Sequence, residues 1–169
     1  VFSAGQDDFA RLQAPLVIDS NDGQRLALSG LAICRDFNAS PDSLNSSISL
    51  LSENVPLVSR GTQFIPAGST RLKKTDAVGV YFELYEPPLK ETPPPLLRFR
   101  VRVFDSSGAL KNDSETMSVP LAKWTEPVIP VGWKFPVDKL AAGLYRLQVI
   151  AVDSNGGAPL VRNTEFQIE

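Results

Sequence analysis

Leu140-Ala-Ala-Gly143-Leu-Tyr145-Arg-Leu147-Gln-Val149-Ile-Ala151, followed after Asn155-Gly156-Gly157 by Thr164-Glu-Phe166-Gln-Ile168, decides how this chain reads. Side chains of an extended strand alternate between its two faces. Tyr145, Leu147, Val149 and Ala151 therefore share one side, and Thr164, Phe166 and Ile168 share one side of a returning partner. The Asn-Gly-Gly between them supplies turn chemistry, so the segment predicts a closing β-hairpin. Tyr145 follows Gly143 by two residues and lies in phase with the apolar face. A tyrosine so placed buries its ring and bonds its hydroxyl to backbone a few residues upstream, as in the tyrosine corner of sandwich domains.

Working outward, Val78, Val80, Phe82 and Leu84 alternate with Gly79, Tyr81, Glu83 and Tyr85. Beyond Pro87-Pro88 and Pro93-Pro94-Pro95, Leu97, Phe99, Val101 and Val103 alternate with Arg98, Arg100 and Arg102. Each run predicts a strand with one apolar and one wet face. Residues 26–37 read as a first strand that is apolar on both sides. Gln63-Phe-Ile-Pro66 reads as an edge strand, because proline cannot donate to a central ladder. Shorter candidates cover residues 116–121 and 131–137. Ser40-Pro41-Asp42 has the form of a helix start, and Leu44, Ile48 and Leu51 follow at helical spacing, which predicts a short helical insertion over 41–52. Residues 1–25 are polar and turn-rich apart from Pro15-Leu-Val-Ile18, and read as an N-terminal linker. The count is about seven or eight strands over residues 26–169, the number of an immunoglobulin-like or fibronectin type III-like β-sandwich. The fold class expected is all-β with that one helical insertion.

Composition excludes more than it assigns. The 169 residues suffice for one core. Seventeen basic and nineteen acidic residues are interspersed to a net charge of −2, so no global field draws the chain to nucleic acid or to an anionic membrane. No apolar run approaches the roughly 20 residues of a membrane-spanning helix. There is no histidine and one cysteine, Cys34, which removes the commonest general base and zinc ligand. No Gly-x-Ser-x-Gly elbow is present, and no pair of acids stands out as a glycosidase couple. The expectation is a protein that is not an enzyme and takes no cofactor and no metal. The turns Asp19-Ser-Asn-Asp-Gly23 and Asp153-Ser-Asn-Gly156 invite a calcium reading, but the glycine is misplaced and no closing glutamate follows.

Three aromatic residues are candidates for a ligand-binding surface: Tyr81 and Tyr85 on the wet strand face, and Trp124 in the loop-like Lys-Trp-Thr-Glu-Pro. Rings displayed in this way suit a carbohydrate. Trp133 falls in phase with Val131 and Phe135 and reads as core. The row Arg98, Arg100, Arg102 has the spacing of a phosphate-contacting face, while pairing with Glu83 and Glu86 across adjacent strands explains it as a solvated face. The second reading leaves no nucleic-acid partner.

Several phrases resemble a known family: Ala14-Pro-Leu-Val-Ile-Asp19, Gln24-Arg-Leu-Ala-Leu-Ser29, Val55-Pro-Leu-Val-Ser-Arg-Gly61, Phe64-Ile-Pro-Ala-Gly-Ser69, Phe82-Glu-Leu-Tyr-Glu-Pro87 and Leu140-Ala-Ala-Gly-Leu-Tyr-Arg-Leu147. They are similar to the β-rich region that follows the A domain in bacterial von Willebrand factor A-related proteins. The resemblance implies an immunoglobulin-like, C-terminal accessory domain of an exported multidomain protein, periplasmic, surface-bound or secreted, whose partners are proteins, including other domains of its own chain. It carries over no metal site, because Asp42-Ser-Leu-Asn-Ser46 departs at its middle position from the Asp-x-Ser-x-Ser of the A domain. A start at Val-Phe-Ser-Ala-Gly, without methionine or a signal pattern, reads as a piece of a longer chain. The functional expectation is a non-catalytic structural or protein-interaction module; the alternative is a carbohydrate-binding module.

Overall fold

The closing hairpin forms as its alternation requires: Gly143–Val152 pairs antiparallel with Leu160–Ile168, Tyr145 standing opposite Phe166. The structure is a computed structural model and describes residues 25–39, 57–85, 96–119, 121, 128–154 and 157–169. The expected helix over 41–52 and nearly all of the N-terminal linker lie outside these residues, as does Trp124.

Two six-stranded sheets make an all-β sandwich. One contains β1 (Ala27–Leu28), β2 (Ala32–Ala39), β3 (Val58–Ser59), β4 (Thr62–Pro66), β6 (Val78–Tyr85) and β10 (Val128–Phe135); the other contains β5 (Arg71–Leu72), β7 (Leu97–Asp105), β8 (Leu110–Asp113), β9 (Met117–Val119), β11 (Gly143–Val152) and β12 (Leu160–Ile168). In the first sheet β10 accompanies β6 along its whole length, so β1 and β2 must share the opposite side of β6, end to end. In the second, β12 lies between β11 and the parallel β5, and β8 and β9 divide the far side of β7.

The expected strand over 26–37 is split. From Ala27 to Ala32 the chain advances five positions while β6 advances four, from Tyr85 to Tyr81, which is a one-residue bulge. Ser29 anchors it: its N–H donates to the Glu83 carbonyl at 3.0 Å, and its Oγ accepts from the Glu83 N–H at 2.9 Å. The 63–66 run is an edge only in part: β3 pairs with β4 at Thr62 and Gln63, while Ile65 and Pro66 have β2 alone as a paired strand among the described residues.

The inward faces of the two sheets meet in the main core. Val80, Phe82, Leu84, Leu97, Leu147, Val149 and Ala151 are wholly buried. Phe82 meets Phe99 edge-on across the sheets at 5.6 Å, and Phe135 meets Phe166 at 5.9 Å. Tyr145 stacks on Phe166, and its hydroxyl donates to the Ala141 carbonyl at 2.9 Å. Gly143 between them has φ +152°, a conformation open in practice only to glycine.

A second, smaller core lies on the outer face of the first sheet. The register of β2 against β4 slips between Cys34 and Asp36, and such a bulge bends its strand. Cys34, Phe64 and Tyr81 are buried together there, with Phe37 edge-on to Phe64 at 5.0 Å. The β3–β4 leaf reaches far enough that Ser59 Oγ donates to the Pro130 carbonyl of β10 at 2.9 Å. Gly132 makes the close approach possible: a Cβ there would stand 2.1 Å from the Phe64 ring.

Two outcomes follow for urea denaturation. Gly132→Ala should lose about 1–3 kcal/mol to overpacking, and the loss should shrink in combination with Phe64→Leu, which withdraws the obstructing ring. Tyr145→Phe should lose about 0.5–1.5 kcal/mol, because it removes the hydrogen bond from the buried tyrosine to the carbonyl of the exposed Ala141. Equal penalties for Gly132→Ala with and without Phe64 would contradict the packing described.

Candidate functional site

Tyr81, Glu83 and Tyr85 occupy alternate positions of β6 and therefore project to its outer face. Both phenols donate to one carboxylate: Tyr81 Oη to Glu83 Oε1 at 3.1 Å, and Tyr85 Oη to Oε2 at 2.6 Å. The expected display of Tyr81 is corrected. Its ring is 4% exposed because the β3–β4 leaf closes over it, so it belongs to the second core and not to a platform. Tyr85 is half-buried. Trp124 lies outside the described residues; the chain that carries it rejoins them at Val128, directly opposite Tyr85. Trp133 packs against the main core, half-buried and in the inward phase between Val131 and Phe135.

The arginine row is also rearranged. Its strand pairs with β11 in the second sheet, whereas Glu83 belongs to β6 in the first, so the pairing expected with Glu83 does not form; Glu86 lies outside the described residues. Arg100 instead forks onto Asp113 of β8, Nε meeting Oδ1 at 2.7 Å and Nη2 meeting Oδ2. Arg102 Nε stands 3.8 Å from the same carboxylate. The Arg100 guanidinium holds the Asp113 carboxyl below the usual carboxylate range. Two of the three cations are thus tied to one acid, while Arg98 is exposed. At the next turn Asp105 accepts from the Ser107 hydroxyl at 2.6 Å and meets Lys111 at 2.9 Å; the hydroxyl first and the ammonium second hold it far below that range.

A feature the sequence reading missed lies at the open side of the sandwich, where β9, β10 and the β3–β4 turn meet. Phe99, Met117, Ile129, Val131 and Trp133 line a notch of roughly 240 Å³, with Arg60 and Ser118 also among its walls. Arg60 stands in a tight turn with φ 51°, followed by Gly61 at φ 71°. The Ser59-Arg60-Gly61-Thr62 run between alternating residues carries a hairpin signal, and it is the one trace of this site in the sequence. Among the described residues, no three acids or thiols cluster as metal ligands, and no helix is long and apolar enough to cross a membrane. No family model matches this sequence, and neither does any curated protein.

Burial and the shared carboxylate raise the phenol of Tyr81 well above its ordinary value, and the hydrogen bond to Glu83, more than burial, pushes Tyr85 up to about 12. A phenol whose folded value is raised contributes stability that is fully present below its unfolded value, near 10, and that is lost as pH rises through the folded value. Alkaline melts should therefore decline from about pH 10 upward. In Glu83→Gln, ultraviolet titration should show phenolate forming at lower pH than in the parent protein. Superimposable titrations would mean that Glu83 does not control these phenols.

Proposed function

We propose that this sandwich is a non-catalytic interaction module, an immunoglobulin-like accessory domain of a larger exported bacterial protein, which binds protein by accepting a strand at its edge. One observation carries the reading: the edge of β10. Glu83 directs its N–H and carbonyl to Ser29, away from β10. The opposite residue, Pro130, therefore turns its own backbone groups away from β6, and Ser59 meets its carbonyl there. Strand alternation sends the N–H and C=O groups of Gly132 and Lys134 the same way. Among the described residues no strand pairs with that side of β10, and an unpaired row of backbone donors and acceptors is a template for an added strand.

The Tyr145 hydroxyl on the Ala141 carbonyl supports the immunoglobulin-like assignment, and the family phrases support the accessory role and the export. The carbohydrate alternative has lost Tyr81 as a displayed ring and keeps Tyr85 and Trp124.

The test is photocross-linking in the cell that makes the full-length protein, with a photoreactive side chain at Lys134 of β10 or, as control, at Arg146 on the other sheet. Protein adducts, with another domain or another chain, should form from position 134 and not from 146. No adduct at 134, together with glycan-array binding that Tyr85→Ala abolishes, would replace this reading with the carbohydrate one.

A further inference from the structure

We propose that the notch beneath the β10 edge selects the incoming strand: it takes an extended segment of a partner protein that places one apolar side chain against Trp133 and an acidic residue beside it, facing Arg60. This rests on the interaction reading above and names the chemistry of the partner.

The backbone sets the position of the added strand. Pro130 has no N–H and its carbonyl is already met by Ser59, so the upstream half of the edge is closed. Among the described residues, no strand pairs with the outward backbone groups of Gly132 and Lys134. A strand laid there passes over the gap between β10 and β9, and every second side chain it carries points into that gap. The walls are apolar: Phe99 and Met117 from one sheet, Ile129, Val131 and Trp133 from the other. At roughly 240 Å³ the notch is smaller than the ~300–1,000 Å³ of small-molecule sites. One aliphatic side chain suits it better than a free ligand.

Charge sets the neighbour. Arg60 is the one charged residue among the described residues that line the notch. It is exposed, and it makes no ion pair with any described residue, in contrast to Arg100, which is held by Asp113. Its backbone is left-handed, a conformation that favours glycine, yet the position carries a guanidinium at the rim, where a carboxylate on the bound strand can take its planar fork.

The probes are short acetylated peptides that alternate threonine and valine, carrying one central leucine beside one aspartate. Control peptides replace the leucine by alanine, replace the aspartate by lysine, or methylate the edge-facing amide. Amide and indole resonances of the isotope-labelled protein are followed on titration. The leucine–aspartate peptide should shift Gly132, Lys134 and the Trp133 indole, and each control should bind at least about tenfold more weakly. Arg60→Gly removes the charge while relieving the backbone; it should match or exceed the parent in thermal stability and yet lose the preference for aspartate over lysine. Arg60→Lys should keep most of that preference.

An unmoved Trp133 indole at millimolar peptide, shifts confined to another edge, or an aspartate preference unchanged in Arg60→Gly would each overturn the proposal. The two levels separate cleanly. Adducts at position 134 without a response at the notch reject the selectivity and keep the interaction reading, whereas absence of adducts rejects the reading itself.

Discussion

Burial of β6 on both faces is the constraint from which the other features follow. Its inward residues, Val78, Val80, Phe82 and Leu84, fill the main core, and its outward residues begin with Gly79 and Tyr81, which are buried as well. A strand enclosed in this way needs cover on its second face, and here the cover comes from its own sheet. The bulge in β2 turns β4 and β3 back over β6 and β10, and Phe64 settles where Gly132 leaves room. The first sheet thereby curls until Ser59 touches Pro130. The notch at the rim exists because that curl brings the Arg60 turn to the open side of the sandwich.

Much of the architecture was legible because period-two alternation is a direct imprint of a half-buried strand. The runs at 78–84, 97–103 and 145–151 form as read, and the tyrosine bond upstream of Tyr145 is present. The outer face of β6 was not legible. Gly79, Tyr81, Glu83 and Tyr85 have the composition of a wet face, and nothing local reveals that Phe64, seventeen positions before Tyr81 in the numbering, will cover it. Tyrosine suits either environment, since its ring can be buried while its hydroxyl finds a partner, which Glu83 supplies. The arginine partners failed for a related reason: adjacency in sequence order suggested that the strands around the proline-rich loop pair with each other, but they lie in opposite sheets. The notch is assembled from residues 59–60, 99, 117–119 and 129–133, so no contiguous motif announces it.

The edges of the two sheets are treated differently. β8 and β9 cover the outer side of β7. β12 meets β5 at Gln167 and Ile168, and further along it turns Arg162 toward the interior phase, a device that discourages edge-to-edge pairing. On β10, Pro130 and Ser59 close one half and leave the other. Among the described residues, this closure leaves a shorter unpaired edge than a bare strand would present. On the second sheet, Asp105 and Asp113 are committed to local partners.

Cys34 has no exposure at all beneath the leaf, and burial pushes its thiol up to about 11. A thiol in that state reacts with a reagent only after the cover has lifted and the sulfur has met water. Cooperative units of a protein open with free energies below that of global unfolding, and the leaf has its own small core separate from the main one. The single cysteine of the chain is therefore an internal reporter of opening: its labelling rate records how often the cover over β2 lifts, whether by detachment of the leaf or with global unfolding.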